Sequence, residues 1–273
     1  MGLSQQDVRN FAQERFDEAN TASEVIRFSN RTAGTLLAES YMTKSARSLH
    51  DMPEFKELVA SHGKSAWGVM LCVDIRGSTN REVDIGPKQT YLTVHTYLPT
   101  MIHLVSNWDG QVTGLRGDGL IAAIGLHLNE TDCGNEITSE QATQAVSNAV
   151  ACGKAMLETI EIVNSVLTDG GVRGGLQVGV GIDVSDIVVT RIGLLSDTEL
   201  TAYGPSVSKC CKYNGERNQI CMSLAAREMY PEKKVGKTSF RVSKFRNAVI
   251  VDLAGHRVLQ QSFQQFGHPN EYP

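Results

Sequence analysis

The sequence predicts an α+β domain of ferredoxin-like topology, an antiparallel sheet with helices packed on one face, and three observations lead there. An apolar run from Ala66 to Val73 ends in Asp74-Ile75-Arg76-Gly77-Ser78-Thr79. A helical stripe then leads into two short apolar segments joined by Asp118-Gly119. A second, longer stripe, opened by Thr138-Ser139-Glu140-Gln141, leads into a glycine-punctuated apolar segment from Gly174. Strand, helix, strand, strand, helix, strand is the split βαβ order, in which the end of the first strand lies beside the hairpin of the next two.

Each element has its own signal. Residues 4 to about 60 are polar with apolar residues at helical spacing: Val8, Phe11, Ala12, Phe16 and Ala19, then Leu36, Leu37 and Tyr41, then Phe55, Leu58 and Val59. We take 1–62 as an N-terminal helical region, a brace or a dimer contact. Ala66 to Val73 is nearly continuous in apolar character, as a central strand covered on both faces requires. Pro87 suits the first position of a helix, where its missing N–H is not needed. The stripe Tyr91, Val94, Leu98, Met101, Ile102 and Val105 buries one side of that helix, Pro99 should bend it, and Gly110 should stop it.

Strands are expected at Gln111 to Arg116 and Leu120 to Gly125, with Gly119 supplying the positive φ of the turn. Thr138 and Gln141 form a capping box for the second helix, whose stripe runs from Ala142 to Leu167 before Gly170-Gly171 ends it. Strands at Gly174 to Ile182 and Asp186 to Ile192 follow, then a loop to Tyr203, a short helix from Pro205 and a strand Gln219 to Met222. A pair of strands, Phe240 to Val242 and Ala248 to Leu253, completes a domain spanning 63–255, leaving 256–273 as a polar tail.

Bulk properties remove several classes of function. The chain has 273 residues, a formal net charge of −4, 41% hydrophobic and 21% charged residues, an ordinary globular balance with no basic field for nucleic acid. Its six cysteines, at 72, 133, 152, 210, 211 and 221, form no C-x-x-C pair and mostly sit in apolar stretches, which suits core thiols better than zinc. No N-terminal leader pattern and no apolar stretch of membrane-spanning length is present, so a soluble, cytoplasmic protein with no membrane partner is expected. Gly114, Gly117 and Gly119 lie in a hairpin, which excludes a dinucleotide fingerprint.

Asp74 and Asp118 are the candidates for chemistry. They stand 44 positions apart, but the topology makes them neighbours. Paired carboxylates at strand ends suit hard divalent cations, and the glycine-containing loop after Asp74 offers N–H groups to phosphate oxygens. Metal-assisted phosphoryl chemistry on a nucleotide is the reading these residues support.

The same residues resemble class III nucleotide cyclases in three blocks: Val73-Asp74-Ile75-Arg76-Gly77-Ser78-Thr79; Gly117-Asp118-Gly119; and Gly179-Val180-Gly181-Ile182-Asp183 followed by Thr201 to Lys212. The resemblance spans about 66 to 223. It implies two cations, Mn²⁺ or Mg²⁺, on Asp74, Asp118 and the Ile75 carbonyl. It places the β- and γ-phosphates of a nucleoside triphosphate on the backbone from Ile75 through Arg76, Gly77 and Ser78 to Thr79. It further implies a head-to-tail homodimer in which Ser208 and Lys212 reach the partner's site.

Departures from the pattern bear on the substrate. Gly114 stands where purine cyclases usually carry a base-reading lysine or glutamate, and Thr201 where the second base reader usually lies. Ser208 replaces the usual asparagine and Lys212 the usual arginine, keeping the charge but losing the planar fork. With both metal aspartates retained, the chain is similar to the pyrimidine cyclases of bacterial anti-phage signalling, the Pycsar type. That implies conversion of UTP to cyclic UMP, whose product acts on a separately encoded effector. Cytidylate or adenylate cyclases, or a non-catalytic nucleotide-sensing pseudo-cyclase, are the alternatives. Arg116 is open between a contact to a pyrimidine carbonyl and a solvated strand position.

Overall fold

The computed structural model describes residues 3–25, 48–56, 58–59, 62–129, 137–194, 197–214, 217–231, 238–245, 247–253 and 258–259. Leu36, Leu37, Tyr41, Cys133 and nearly all of the polar tail lie outside the described residues.

Helix α1 (Gln5–Val25) opens on a reciprocal cap. The Asp7 N–H donates to Ser4 Oγ at 3.1 Å, and the Ser4 N–H donates to Asp7 Oδ2 at 3.1 Å, satisfying two donors that a helix start leaves free. Its residues Val8, Ala12, Phe16 and Ala19 recur every three or four positions, and all four are buried in the main core. A 3₁₀ turn (Leu49–Asp51) and the short α2 (Pro53–Lys56) precede the sheet.

Strand β1 (Gly63–Ile75) is central, flanked by β3 and β4. Helix α3 (Ser78–Asn107) follows, then β2 (Gly110–Arg116), β3 (Gly119–Leu128), α4 (Ser139–Asp169) and β4 (Val178–Leu194). These form the expected split βαβ unit, with strand order β2-β3-β1-β4 and every neighbouring pair antiparallel. Next come β5 (Asp197–Tyr203), α5 (Pro205–Tyr213), β6 (Gln219–Ser223), α6 (Leu224–Met229), β7 (Thr238–Val242) and β8 (Ala248–Leu253). Strand β6 joins β4 in parallel, β8 and β7 extend that side, and β5 pairs with the far part of β4.

Alternation along β1 divides the core. Val69, Leu71, Val73 and Ile75 face α1, α3 and α4, while Ala66, Met70 and Cys72 face Leu49, Phe55, Val207 and Cys210. The two crossover helices share one face as expected, but the opposite face is covered as well, by α5 and the segment around α2. This is why β1 carries an unbroken apolar run.

Several details differ from the sequence expectation. Helix α3 begins at Ser78, not Pro87; Gly86, at φ 73° and ψ 173°, interrupts it, and Pro87 starts the second stretch. The backbone stays helical through Pro99. The left-handed residue after α3 is Asp109, at φ 55°, whereas Gly110 is needed because a Cβ there would meet Val105 Cγ1 at 2.5 Å. The expected break between Ile182 and Asp186 is absent, since β4 is continuous for 17 residues, and the expected loop before Tyr203 is strand β5. Helix α6 carries no expectation at all. The capping box at Thr138 and Gln141 is present with both bonds.

A Cβ on Gly170 would lie 2.1 Å from Phe16 Cζ, so the α1 ring is seated directly on the end of α4. Phe16→Ala should therefore lower unfolding free energy by about 3–5 kcal/mol in urea titrations, the cost of emptying an aromatic site in a packed core.

Candidate active site

Register brings the two aspartates together. Val73 of β1 pairs with Leu120 of β3, so Asp74, one residue further, lies beside the β2–β3 turn that holds Asp118. That turn consists of Gly117 and Asp118 between the paired Arg116 and Gly119. Its positive φ, 61°, belongs to Gly117 and not to Gly119, as a two-residue hairpin loop with glycine first requires. Gly119 serves the site by lacking a side chain, because a Cβ there would stand 3.1 Å from Asp74 Oδ1 and 3.1 Å from the Arg116 carbonyl oxygen. A side chain there would require the Asp74 carboxylate or the hairpin to give by about a few tenths of an ångström.

Both carboxylates are half-buried. Burial, and next the negative charge of Asp118, raise the Asp74 carboxyl above its usual range, while Arg76 pulls it back. Arg76 donates from its guanidinium to Asp74 Oδ2, and its peptide N–H donates to the Gln177 carbonyl at 2.7 Å. Arg76, which the resemblance placed on the phosphates, thus neutralises Asp74 in this structure. Asp118 Oδ2 is buried and has no hydrogen-bond partner.

The loop that follows is a helix start. Gly77 is left-handed, at φ 75° and ψ 25°, and precedes α3 with no side-chain cap. The first N–H groups of α3, from Ser78 and Thr79 onward, therefore point out of the helix with its positive dipole end behind them, an arrangement that attracts phosphate. Arg81 fixes this first turn by donating to the carbonyls of Gly174, at 2.9 Å, and of Arg173.

The remaining sequence candidates are spread around the sheet. Gly114 is half-buried on β2 opposite Ile121, and nothing lies within 4 Å of where its Cβ would be. Arg116 is exposed at the end of β2, and Thr201, on β5, pairs with Thr190 of β4. Ser208 and Lys212 lie on the exposed side of α5, whose Val207, Cys210 and Tyr213 are buried. Helix α5 is clamped onto β4, because a Cβ on Gly181 would meet the Cys210 carbonyl oxygen at 1.9 Å.

Two groups at the site escape sequence reasoning. Cys211 is half-buried, and hydrogen bonds from Cys210 and Cys72, aided by the Arg116 guanidinium, hold its thiol far below the usual range. Tyr97 is fully buried within electrostatic reach of both aspartates. It sits three residues after Val94 and four before Met101, so the helical spacing of the α3 stripe already contained it.

The donor set fits a hard divalent cation: two carboxylates forced together against repulsion, one with an unsatisfied buried oxygen, next to the Ile75 carbonyl. Among the described residues no cluster of three or more His, Cys, Asp or Glu side chains could enclose a metal alone, so substrate oxygens or water would complete the coordination.

The raised Asp74 carboxyl has a definite stability consequence. Its contribution is fully present below the ordinary value of 3.8, where folded and unfolded chains both carry the proton, and is lost as pH rises through the elevated folded value. Asp118→Asn should bring the Asp74 carboxyl down in a carboxyl-carbon NMR titration and raise the melting temperature at pH 7. That gain should shrink as the pH falls through the carboxylate range.

No family model and no curated protein matches the chain. Solved structures do. The adenylyl cyclase CyaB from P. aeruginosa superposes over 72% of this chain and 97% of its own, with TM-score 0.57 and 17% identity. The guanylyl cyclase Cya2 superposes over 72% of this chain and 95% of its own, with TM-score 0.55 and 23% identity. The catalytic core of a rhodopsin-guanylyl cyclase with converted specificity, in complex with ATPαS, covers 71% of this chain and 99% of its own, with TM-score 0.55 and 13% identity. The chain has the catalytic-domain fold of the class III adenylyl and guanylyl cyclases.

Proposed function

We propose that the chain is a nucleotide cyclase that converts UTP to 3′,5′-cyclic UMP and pyrophosphate. The observation that carries the reading is the meeting of Asp74 and Asp118 beside an uncapped helix start, on a sheet of cyclase topology. In the reaction the ribose 3′-oxygen forms a bond to the α-phosphorus, the bond from that phosphorus to the bridging oxygen breaks, and the hydroxyl proton passes to solvent. Asp74, Asp118 and the Ile75 carbonyl would hold Mn²⁺ or Mg²⁺, which when bound supplies Lewis-acid activation of the hydroxyl and neutralises the triphosphate.

The chain's own groups do the rest. The N–H groups from Gly77 to Thr79 hold the β- and γ-phosphates, and Arg76 is placed to turn from Asp74 to the same oxygens. Ser208 and Lys212, exposed on α5, serve a second copy of the chain, where Lys212 offsets charge building on the phosphates. Exposed apolar side chains support such a homodimer: Val188 is 46%, Ile192 53% and Tyr203 50% exposed along the β4–β5 ribbon. We further take 1–62 as a brace for the catalytic domain 63–255, with α1 seated on α3 and α4.

The pyrimidine preference rests on Gly114. Open space replaces the side chain that reads a purine, which leaves base choice to groups such as Arg116 and Thr201. By resemblance, the cyclic nucleotide would act as a messenger to a separate effector in defence against phage. A second reading, a pseudo-cyclase that binds nucleotide without turnover, is favoured by Lys212 and Ser208 in place of the usual arginine and asparagine.

Incubation with each of the four ribonucleoside triphosphates and Mn²⁺, followed by chromatography of the products, tests this. Cyclic UMP is expected. Cyclic CMP or cyclic AMP would reassign the base, and retained nucleotide without product would establish the second reading. Asp74→Ala and Asp118→Ala should each abolish turnover in a folded protein, and Lys212→Ala should lower kcat about 100-fold, as loss of one charge-stabilising group does.

A further inference from the structure

Three thiols converge beside the aspartate pair. Cys72 lies on β1 two residues before Asp74, and Cys210 and Cys211 lie on α5 directly before Lys212. Cys72 and Cys210 share one apolar cluster, and Cys211 packs against it. Cys72 pairs across the sheet with Gly181, and the Cys210 carbonyl oxygen lies over that glycine, 1.9 Å from where its Cβ would stand. The end of α5 closes the contact. The Asn214 N–H donates to the Cys210 carbonyl at 3.2 Å, and the Asn214 side-chain amide donates to Cys72 Sγ at 3.2 Å. The three thiol groups are joined to one another by hydrogen bonds, and all three are free. Among the described residues no group of three or more His, Cys, Asp and Glu side chains could hold a metal, so ligation does not account for them. Cys211 is half-buried and open to solvent, whereas Cys72 and Cys210 are buried. Cys210 is the poorer covalent partner for it, because adjacent Cα atoms stand about 3.8 Å apart, inside the roughly 4.4 Å lower end for a disulfide. The Cys210 thiol is also turned to the Val207 carbonyl, at 3.2 Å.

We propose that Cys211 and Cys72 are a peroxide-sensitive thiol pair, a modification site at the edge of the active centre whose oxidation ties α5 to β1. The Cys211 sulfur attacks hydrogen peroxide: an S–O bond forms, the O–O bond breaks, and the departing hydroxide takes a proton and leaves as water. The Cys72 sulfur then attacks the resulting sulfenic acid at sulfur. The S–S bond forms, the S–O bond breaks, and the hydroxide leaves as water with the Cys72 proton. Two thiols lose two electrons in all, and the peroxide gains them. Bonds from Cys210 and Cys72, then the Arg116 charge, favour the thiolate of Cys211, the nucleophilic form. The effect of the bond on turnover rests on the cyclase reading; the thiol chemistry does not. Drawing Cys211 to within a sulfur–sulfur bond of Cys72 moves the helix that carries Ser208 and Lys212.

The test treats the full natural chain with hydrogen peroxide, blocks remaining thiols by alkylation, and maps unreduced peptides by mass spectrometry. The expected result is the Cys72 peptide joined to the Cys211 peptide, released by dithiothreitol. In Cys72→Ala the sulfenic acid should persist on Cys211 and be trapped by dimedone. Turnover of the joined form should fall about 100-fold, the cost of a displacement of about 1 Å at a reacting centre, and return with dithiothreitol. Cys211 left unmodified by peroxide overturns the proposal. So does Cys211 oxidised to the sulfinic acid with Cys72 still free, a disulfide between other cysteines, or a Cys72–Cys211 bond that leaves an active chain equally active. The bond forming in a chain that turns over no triphosphate keeps the thiol pair and removes the cyclase reading. Turnover in a chain that forms no such bond does the reverse.

Discussion

Like charges held close together in a partly dry place repel, and a protein that keeps two carboxylates there must resist their separation. Here the resistance is architectural. Asp74 is the penultimate residue of the central strand, which is bonded to β3 on one side and β4 on the other, and its flanking residues Val73 and Ile75 are buried. Asp118 sits in a two-residue turn too short to swing away. With both backbones fixed, relief can come only from positive charge. In this structure Arg76 supplies part of it at Asp74, while an oxygen of Asp118 stays unmatched.

The glycines around this point divide the work. Gly117 supplies the backbone angle that reverses the chain, Gly119 supplies closeness to Asp74, and Gly77 turns the chain so that α3 points its N–H groups outward. Local conformational freedom is thereby converted into a fixed geometry by strands and helices that are themselves well buried. The site is built from flexible residue types on a rigid frame.

Much of this was legible in the amino-acid order. The apolar run of β1, the capping box of α4 and the pair of strands around Asp118 are local signals strong enough to stand without tertiary context, and they sufficed for the topology that makes Asp74 and Asp118 neighbours. What stayed hidden depends on contacts between distant parts of the chain. The start of α3, from Ser78 to Ile85, has no apolar stripe and is held by Arg81 reaching carbonyls near residue 174. Among the described side chains of β5, Leu200 and Ala202 are the buried alternating pair, too brief a period to distinguish the strand from a loop. Two glycines flank Asp118, and composition alone does not say which bends and which makes room. The pairing of Arg76 with Asp74 is likewise a matter of side-chain direction, which spacing does not encode.

The clamping of α5 onto β4 carries a mechanical meaning. A Cβ on Gly204 would meet Ile187 Cγ2 at 2.9 Å, and one on Gly181 would meet the Cys210 carbonyl oxygen at 1.9 Å, so the helix is fastened near both of its ends. A rod bolted at two points has no hinge of its own. In the proposed homodimer, the reach of Ser208 and Lys212 toward a triphosphate is then governed by how one molecule settles against another, a whole-body variable. On that proposal, the timing of the chemistry belongs to the encounter and not to bending within α5.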